Sequence, residues 1–285
     1  MNKEKLSAFF KLMRADKPIG TALLLWPTMS AFFVLTNGSP SPFLMCLFFL
    51  GTFLMRSAGC VINDYFDRDF DGKVERTKDR PLPRGQVTEG EALILFGLLV
   101  AISASLLLWM NNLTFLTALA GLGLAVLYPL SKRFLAVPQL FLGLTFSWGI
   151  LMVSAAETNQ ISYESLLLFT SCFFWIIAYD TAYALCDKQD DLDLGINSSA
   201  IYFGDYVVQF FLVFHVFSIS LLVFMAYSLE LHSAFYFFTC AALVFAFYQS
   251  YLIKDQESAK CLRAFKNNNW LGLSILTGSI LGVSL

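Results

Sequence analysis

Long apolar segments, separated by short polar breaks, make up most of the chain. A helix needs about 20 mostly apolar residues to cross a bilayer, and breaks such as NGSPSP at 38–43 and ETNQ at 157–160 divide segments of that length. The pattern predicts nine transmembrane helices, at residues 19–37, 42–62, 91–109, 113–130, 136–156, 164–186, 206–228, 232–253 and 269–285. We therefore expect an all-α integral membrane protein with a single membrane domain over residues 1–285.

The positions of the basic residues predict an orientation for these helices. All 19 Lys and Arg residues lie in the N-terminal tail, near the end of the second helix, or in connections that follow even-numbered helices. The positive-inside rule then places the N-terminus and those connections in the cytoplasm and the C-terminus in the periplasm. No cleavable signal pattern or transit-like extension precedes the first apolar segment, which favours the inner membrane of a bacterium.

Composition agrees with a membrane protein. Hydrophobic residues make up 57% of the chain and charged residues 14%, whereas soluble domains average about 25% charged residues. The net charge of −2 says little about partners, but no basic patch rich enough to bind nucleic acid stands apart from the loops. The six cysteines are scattered without a CxxC pair, which is typical of small apolar packing residues.

A first acidic cluster, NDYFDRDFD at 63–71, follows the second apolar segment. Ionisable groups at a membrane are costly and indicate a functional site by default. If the helix continues through the cluster, Asn63, Asp67 and Asp71 recur every four residues and share one face. Asp64 lies beside that face, while Asp69 points elsewhere.

A second acidic cluster ends the sixth predicted helix, in the sequence DTAYALCDKQDD at 180–191. Asp180, Tyr183, Asp187 and Asp191 follow the spacing i, i+3, i+7 and i+11, which predicts that they share one face of a continuing helix. Asp190 lies beside them. Charge sorting places both clusters on the cytoplasmic side.

Two such clusters predict a site for divalent cations and a diphosphate. Hard oxygen ligands suit Mg²⁺, which usually bridges carboxylates to substrate phosphates. Cations nearby would complete the site. Lys188 lies inside the second cluster, and six basic residues follow the first: Arg68, Lys73, Arg76, Lys78, Arg80 and Arg84. A solvated collar of mixed charges is the alternative, and two clusters in helical register argue against it. The first cluster lacks the Gly and the final Glu of an EF-hand calcium loop, which argues against a site of that type.

These motifs resemble those of the UbiA superfamily of membrane prenyltransferases. NDYFDRDFD followed by RTKDRPLPRG resembles the first family motif, and YDTAYALCDKQDD resembles the second. The segments ADKPIGTALLLWPT, YPLSKRF, VPQLFLG and AFKNNNWLGL resemble the branch that prenylates 4-hydroxybenzoate in ubiquinone biosynthesis. The likeness runs from about residue 11 to residue 275 in order. Arg84, where the family more often has Ser, and Gln189, within an otherwise acidic run, depart from the pattern.

The resemblance implies nine helices around a central cavity, with a cytoplasmic polar cap for Mg²⁺ and diphosphate and a lateral opening for the prenyl chain. The implied metal ligands are Asn63, Asp67, Asp71, Asp187 and Asp191. The implied substrate-binding residues are Asn63, Asp64, Asp180, Tyr183 and Asp190, with Arg68, Lys132 and Lys188 for the diphosphate and Arg133 alternatively for an aromatic carboxylate. The residues expected to act in catalysis are Asp67, Asp71, Asp187, Asp191, Arg68 and Tyr183.

The implied reaction transfers a polyprenyl group from its diphosphate to the ring carbon ortho to the hydroxyl of 4-hydroxybenzoate, releasing pyrophosphate. One alternative is a sister enzyme that prenylates haem, homogentisate or a naphthoate. Another is an ion-coupled transporter, although the acidic residues lie at helix ends and no inverted repeat is visible. A non-catalytic scaffold offers no reason for two acidic clusters in register.

Overall fold

The fold is a bundle of long helices. The computed structural model describes residues 3–74, 76–131 and 134–284, and within them it contains helices and no β-strand, which confirms the all-α prediction. The long helices are α2 (Ile19–Leu35), α3 (Pro42–Asp71), α4 (Glu89–Leu106), α5 (Asn112–Ser131), α6 (Gln139–Thr158), α7 (Tyr163–Ala184), α10 (Val207–Ser228), α11 (Ser233–Ile253) and α12 (Ser258–Ser284). Three short helices lie at α1 (Lys3–Leu12), α8 (Lys188–Leu194) and α9 (Ser199–Tyr202).

Seven of the helices in the described ranges are long and apolar enough to cross a membrane. They are α3, α4, α5, α6, α7, α10 and α11, some with a few flanking residues. Helix α2 is apolar but has 17 residues, and the more polar α12 is not among the seven. Both nevertheless pack inside the bundle, since α12 contacts α2, α7 and α11. The chain is therefore a multi-pass membrane protein.

The last helix begins earlier than the apolar pattern predicted. It starts at Ser258 rather than at residue 269, because the polar stretch before residue 269 is amphipathic rather than a loop. Cys261, Ala264 and Asn268 follow helical spacing and are buried, while Arg263 and Lys266 remain exposed. A segment with buried residues on one face and charges on the other forms a helix although its average polarity is high.

Three consecutive asparagines on α12 each accept a hydrogen bond from a different neighbouring helix. Asn267 accepts from Gln249 of α11 at 2.9 Å. The buried Asn268 accepts from the indole N–H of Trp175 of α7 at 2.8 Å, and Asn269 accepts from that of Trp26 of α2 at 3.0 Å. Successive residues of a helix are about 100° apart, so the triplet points three acceptors at three partners.

Gly272 lies one turn beyond this triplet, between the two indole rings. A Cβ atom at this position would lie 2.7 Å from Cδ1 of Trp26 and 2.8 Å from Cη2 of Trp175. These distances are too short for a side chain, so glycine permits the close approach of α12 to α2 and α7. Hydrogen bonds between side chains and close packing at small residues drive helix association where lipid replaces water.

We expect Asn268→Ala to destabilise the protein by about 1–3 kcal/mol, because it leaves the buried indole N–H of Trp175 without an acceptor. Thermal unfolding in detergent measures the change. Asn112→Ala, at an exposed position at the start of α5, is the matched control. Equal unfolding temperatures for the two variants would contradict a stabilising role for the triplet.

Candidate active site

A large cavity opens among helices α2 to α7 and α12. Its volume is about 1080 Å³, and it extends from the end of α3 that carries the first acidic cluster to the opposite end of α4. Polar side chains of both acidic clusters line one end. The rest of the wall is largely apolar, with side chains such as Phe48, Leu106, Phe115 and Met152. The cavity therefore combines a charged end with a long apolar compartment.

The first acidic cluster has the geometry that its spacing predicted. Helix α3 continues through Asp71, and Asn63, Asp64, Asp67 and Asp71 all line the cavity. The amide of Asn63 donates to the Asp67 carboxylate at 3.0 Å. Asp69 is exposed on another side of the helix and does not line the cavity, as expected.

The second acidic cluster does not lie on one continuous helix, so that part of the prediction is wrong. Helix α7 ends at Ala184, where the backbone tightens into bonds such as Cys186 N–H to the Tyr183 carbonyl at 3.0 Å. Asp187 then precedes the separate short helix α8, which carries Asp191. Asp180, Tyr183, Asp187 and Asp191 nevertheless all line the cavity.

Arginines from the connection between α3 and α4 link the two clusters. Arg80 donates to Asp71 at 2.6 Å and to Asp64 at 3.1 Å. Arg76 binds the Asp187 carboxylate through two nitrogens, one Nε–Oδ1 distance being 2.8 Å, and also donates to the Tyr183 hydroxyl. One connection therefore places guanidinium groups against carboxylates of both clusters.

The N-terminal segment supplies a further cation to the same end of the bundle. Arg14 donates from Nη2 to both oxygens of the Asp64 carboxylate, at 2.8 and 2.9 Å. Asp64 is only 1% exposed, so its charge depends on Arg14 and Arg80 for compensation. The N-terminal segment and the connection after α3 thus lie at one end, in agreement with the charge sorting.

The electrostatics of Asp71 reflect this crowding of carboxylates. Burial raises the pKa of Asp71 above its usual value, the negative charges of Asp64 and Asp67 raise it further, and Arg80 opposes the shift. A positive charge added near such a carboxyl group stabilises its ionised form. The charged end of the cavity therefore favours a cation beside Asp71.

Several residues expected at the site lie outside the cavity lining. Arg68 donates to Glu89 at 3.0 Å and stacks on Tyr65, because it is on the side of α3 that faces the connection to α4. Lys188 donates to Gln256 at 2.7 Å. Neither residue lines the cavity, and neither does the half-buried Asp190. Lys132 and Arg133 lie outside the described residues.

The lining residues that were not assigned to the site from the sequence include Arg56, Tyr179 and Gly20. Arg56 had a usable signal, because a basic residue within an apolar span is a functional candidate by default. Its guanidinium contacts the thiol of Cys60, and among the described residues no carboxylate pairs with it. A Cβ atom at Gly20 would lie 2.5 Å from its Nη2 atom, so glycine leaves the space that this guanidinium occupies.

The carboxylates of the cavity do not form a compact metal cage by themselves. Within the described ranges, no group of three His, Cys, Asp or Glu side chains converges as a metal site does. The oxygen donors along the wall are instead shared with Arg76 and Arg80.

Known proteins are similar to this chain over nearly its whole length. The chain is 44% identical over 281 residues to a 4-hydroxybenzoate octaprenyltransferase of Photobacterium profundum, covering 99% of this chain and 98% of that protein. It is 46% identical over 278 residues to a protein of the same name from Vibrio parahaemolyticus, covering 98% of each. Both similarities extend across residues 63–71 and 180–191, because they cover 98–99% of this chain.

Solved structures show the same fold at low sequence identity. A UbiA homologue from Aeropyrum pernix superposes with a TM-score of 0.78 at 22% identity, over 91% of this chain and 97% of that one. A UbiA homologue from Archaeoglobus fulgidus bound to GPP and Mg²⁺ gives a TM-score of 0.73 at 16% identity, over 98% and 100%. The model of the UbiA prenyltransferase family matches residues 24–273. This protein therefore belongs to the UbiA prenyltransferase family.

Proposed function

We propose that this protein transfers a polyprenyl group from a polyprenyl diphosphate to the ring carbon ortho to the hydroxyl of 4-hydroxybenzoate, as a step of ubiquinone biosynthesis. The observation that carries the proposal is the 44–46% identity to 4-hydroxybenzoate octaprenyltransferases over nearly the full length of both chains. The names of these relatives support a long prenyl donor such as octaprenyl diphosphate. The apolar compartment, which runs most of the length of the helices, is suited to such a chain.

The proposal includes a membrane arrangement. Residues 1–285 form one domain that crosses the inner membrane of a bacterium nine times, with α2 and α12 crossing beside the seven strongly apolar helices. The N-terminus and the charged end of the cavity lie in the cytoplasm, and the C-terminus lies in the periplasm. Two observations support this arrangement. All 19 basic residues lie in the segments assigned to the cytoplasmic side, and Arg14 and Arg80 contact the same acidic cluster.

The charged end fits Mg²⁺ by the chemistry of its donors. Asn63, Asp67 and Asp71 on one wall, and Asp187 and Asp191 on the other, offer the carboxylate and amide oxygens that Mg²⁺ prefers. Mg²⁺ commonly uses one or two carboxylates together with substrate phosphates and water, so it does not require a closed protein cage. When bound, it would neutralise charge that develops on the departing pyrophosphate.

Arg76 and Arg80 are the cations best placed to bind the diphosphate. Both project from one connection into the charged end and contact carboxylates of opposite clusters. Guanidinium groups suit phosphate oxygens as well as carboxylates, with the same two-pronged geometry. This assignment differs from that of Arg68 and Lys188, whose side chains are held outside the cavity by Glu89 and Gln256.

Arg56 is the group best placed to hold the carboxylate of the acceptor. It lies seven residues before Asn63 on α3, which is about 10 Å deeper along the helix. Its side chain lines the cavity there. A cation in largely apolar surroundings attracts an anion strongly, and 4-hydroxybenzoate carries one negative charge.

The reaction needs the C–O bond of the allylic diphosphate to break, with its electron pair leaving on pyrophosphate. The ring carbon ortho to the phenol oxygen then forms the new C–C bond, and the ring proton passes to a base. Arg76 and Arg80 stabilise the leaving charge. The apolar lining excludes water, which would otherwise capture the allylic cation.

Replacing Asp67 or Asp187 with Ala should lower turnover roughly a hundredfold or more, because each removes a charged ligand at the leaving group. Incorporation of radiolabelled 4-hydroxybenzoate into lipid, with polyprenyl diphosphate and Mg²⁺, measures the loss. Asp69→Ala is the matched control, since Asp69 lies on the same helix but is exposed outside the cavity. Wild-type turnover by both cavity variants would refute the assignment of these carboxylates.

Gly20→Ala should raise the KM for 4-hydroxybenzoate roughly tenfold, because the added methyl group displaces the guanidinium of Arg56 from the position in which it would bind the carboxylate of the acceptor. Gly123→Ala is the control, since a methyl group there meets open space and Gly123 does not line the cavity. In an Arg56→Gln background the Gly20 substitution should add nothing further. Additive effects of the two substitutions would show that Gly20 does not act through Arg56.

A further inference from the structure

Two buried hydroxyl groups that line the cavity, those of Tyr179 and Ser198, have no hydrogen-bond partner among the described residues, and Tyr179 is the one that lies on a long helix of the bundle. Tyr179 is 2% exposed and lines the cavity, yet its hydroxyl forms no hydrogen bond with any described residue. Buried tyrosine hydroxyls usually find a partner, because leaving one unpaired in apolar surroundings costs free energy. An unpaired hydroxyl on a ligand cavity therefore points to a ligand that supplies the acceptor.

The Tyr179 ring is held firmly in place. It packs edge-on against Trp175, with ring centroids 5.3 Å apart, and against Phe265 at 5.9 Å. Trp175 is in turn fixed by its hydrogen bond to Asn268. Because the ring is confined on both sides, its hydroxyl has a defined direction, as a residue that orients a substrate requires.

Tyr179 lies deeper in the cavity than the charged end. It precedes Tyr183, the partner of Arg76, by one helical turn, which is about 6 Å along α7. Arg56 on α3 also lines the cavity, about 10 Å deeper along its helix than Asn63. Tyr179 and Arg56 together therefore form a second polar layer, beneath the layer that we assign to the diphosphate.

The chemistry of this second layer fits a carboxylate. We propose that the Tyr179 hydroxyl donates a hydrogen bond to the carboxylate of the aromatic acceptor, beside Arg56. The inference rests on the proposed function. The ring presents the carbon ortho to its phenol oxygen towards the diphosphate, which turns its carboxylate towards the deeper layer. Tyr179 then selects aromatic acids over neutral phenols. A phenol without a carboxylate would leave the Tyr179 hydroxyl without an acceptor, so the site would bind that phenol more weakly.

Tyr179→Phe tests the proposal, because it removes the hydroxyl and keeps the ring. We expect the KM for 4-hydroxybenzoate to rise roughly tenfold, as for loss of a hydrogen bond to a charged group, and the KM for polyprenyl diphosphate to stay unchanged. The inhibition constant of benzoate should rise by the same factor, while that of phenol stays constant. Unfolding temperature should not fall, since an unpaired buried hydroxyl has been removed.

Tyr236→Phe is the matched control, because Tyr236 is half-buried but does not line the cavity. Unchanged acceptor KM and benzoate inhibition in Tyr179→Phe would overturn the inference, and so would a rise confined to the KM of the diphosphate. An equal weakening of benzoate and phenol would assign the hydroxyl to another contact and also overturn it. If the wild-type protein does not prenylate 4-hydroxybenzoate, the proposed function itself fails, and that assay is run first.

Discussion

The structure depends on the compensation of carboxylate charge at one end of an apolar bundle. Asp64 and Asp71 are buried where α3 leaves its apolar segment, and isolated charges in such a position are strongly unfavourable. Arg14 and Arg80 supply the opposite charge from two segments that are far apart in sequence. The same ion pairs therefore hold the N-terminal segment and the connection after α3 against the bundle, and they define the charged end of the cavity.

The helical periodicity predicted much of the architecture, and its failures have local causes. The stripe on α3 was predictable because the helix is continuous through Asp71. The stripe after Asp180 was not, because α7 ends at Ala184 in a turn that no periodic pattern encodes. For the same reason, spacing could not select Arg76 and Arg80 from the six basic residues that follow the first cluster. Their roles depend on the path of an irregular connection.

The cavity joins two environments that a reaction between a lipid and a small acid requires. Its charged end collects polar groups from α3, α7 and the segments between helices. Its apolar compartment is bounded by α4 and α5, in whose most apolar stretches only 17% and 11% of residues are buried inside the protein. The outer faces of these two helices are thus available to lipid, so that a hydrocarbon chain in the cavity is separated from the bilayer by little protein.

Gly272 fixes the register of α12 against its neighbours, which the three asparagines alone do not fix. If α12 slid and turned by one residue, two of the three hydrogen-bonding positions would still be filled by asparagine, so the triplet alone distinguishes neighbouring registers poorly. The slot between Trp26 and Trp175 has no room for a Cβ atom, and the residues on either side of Gly272 are leucines. A slip of one residue in either direction would force a leucine between the two indoles, so the absence of a side chain at position 272 fixes the register of the whole helix.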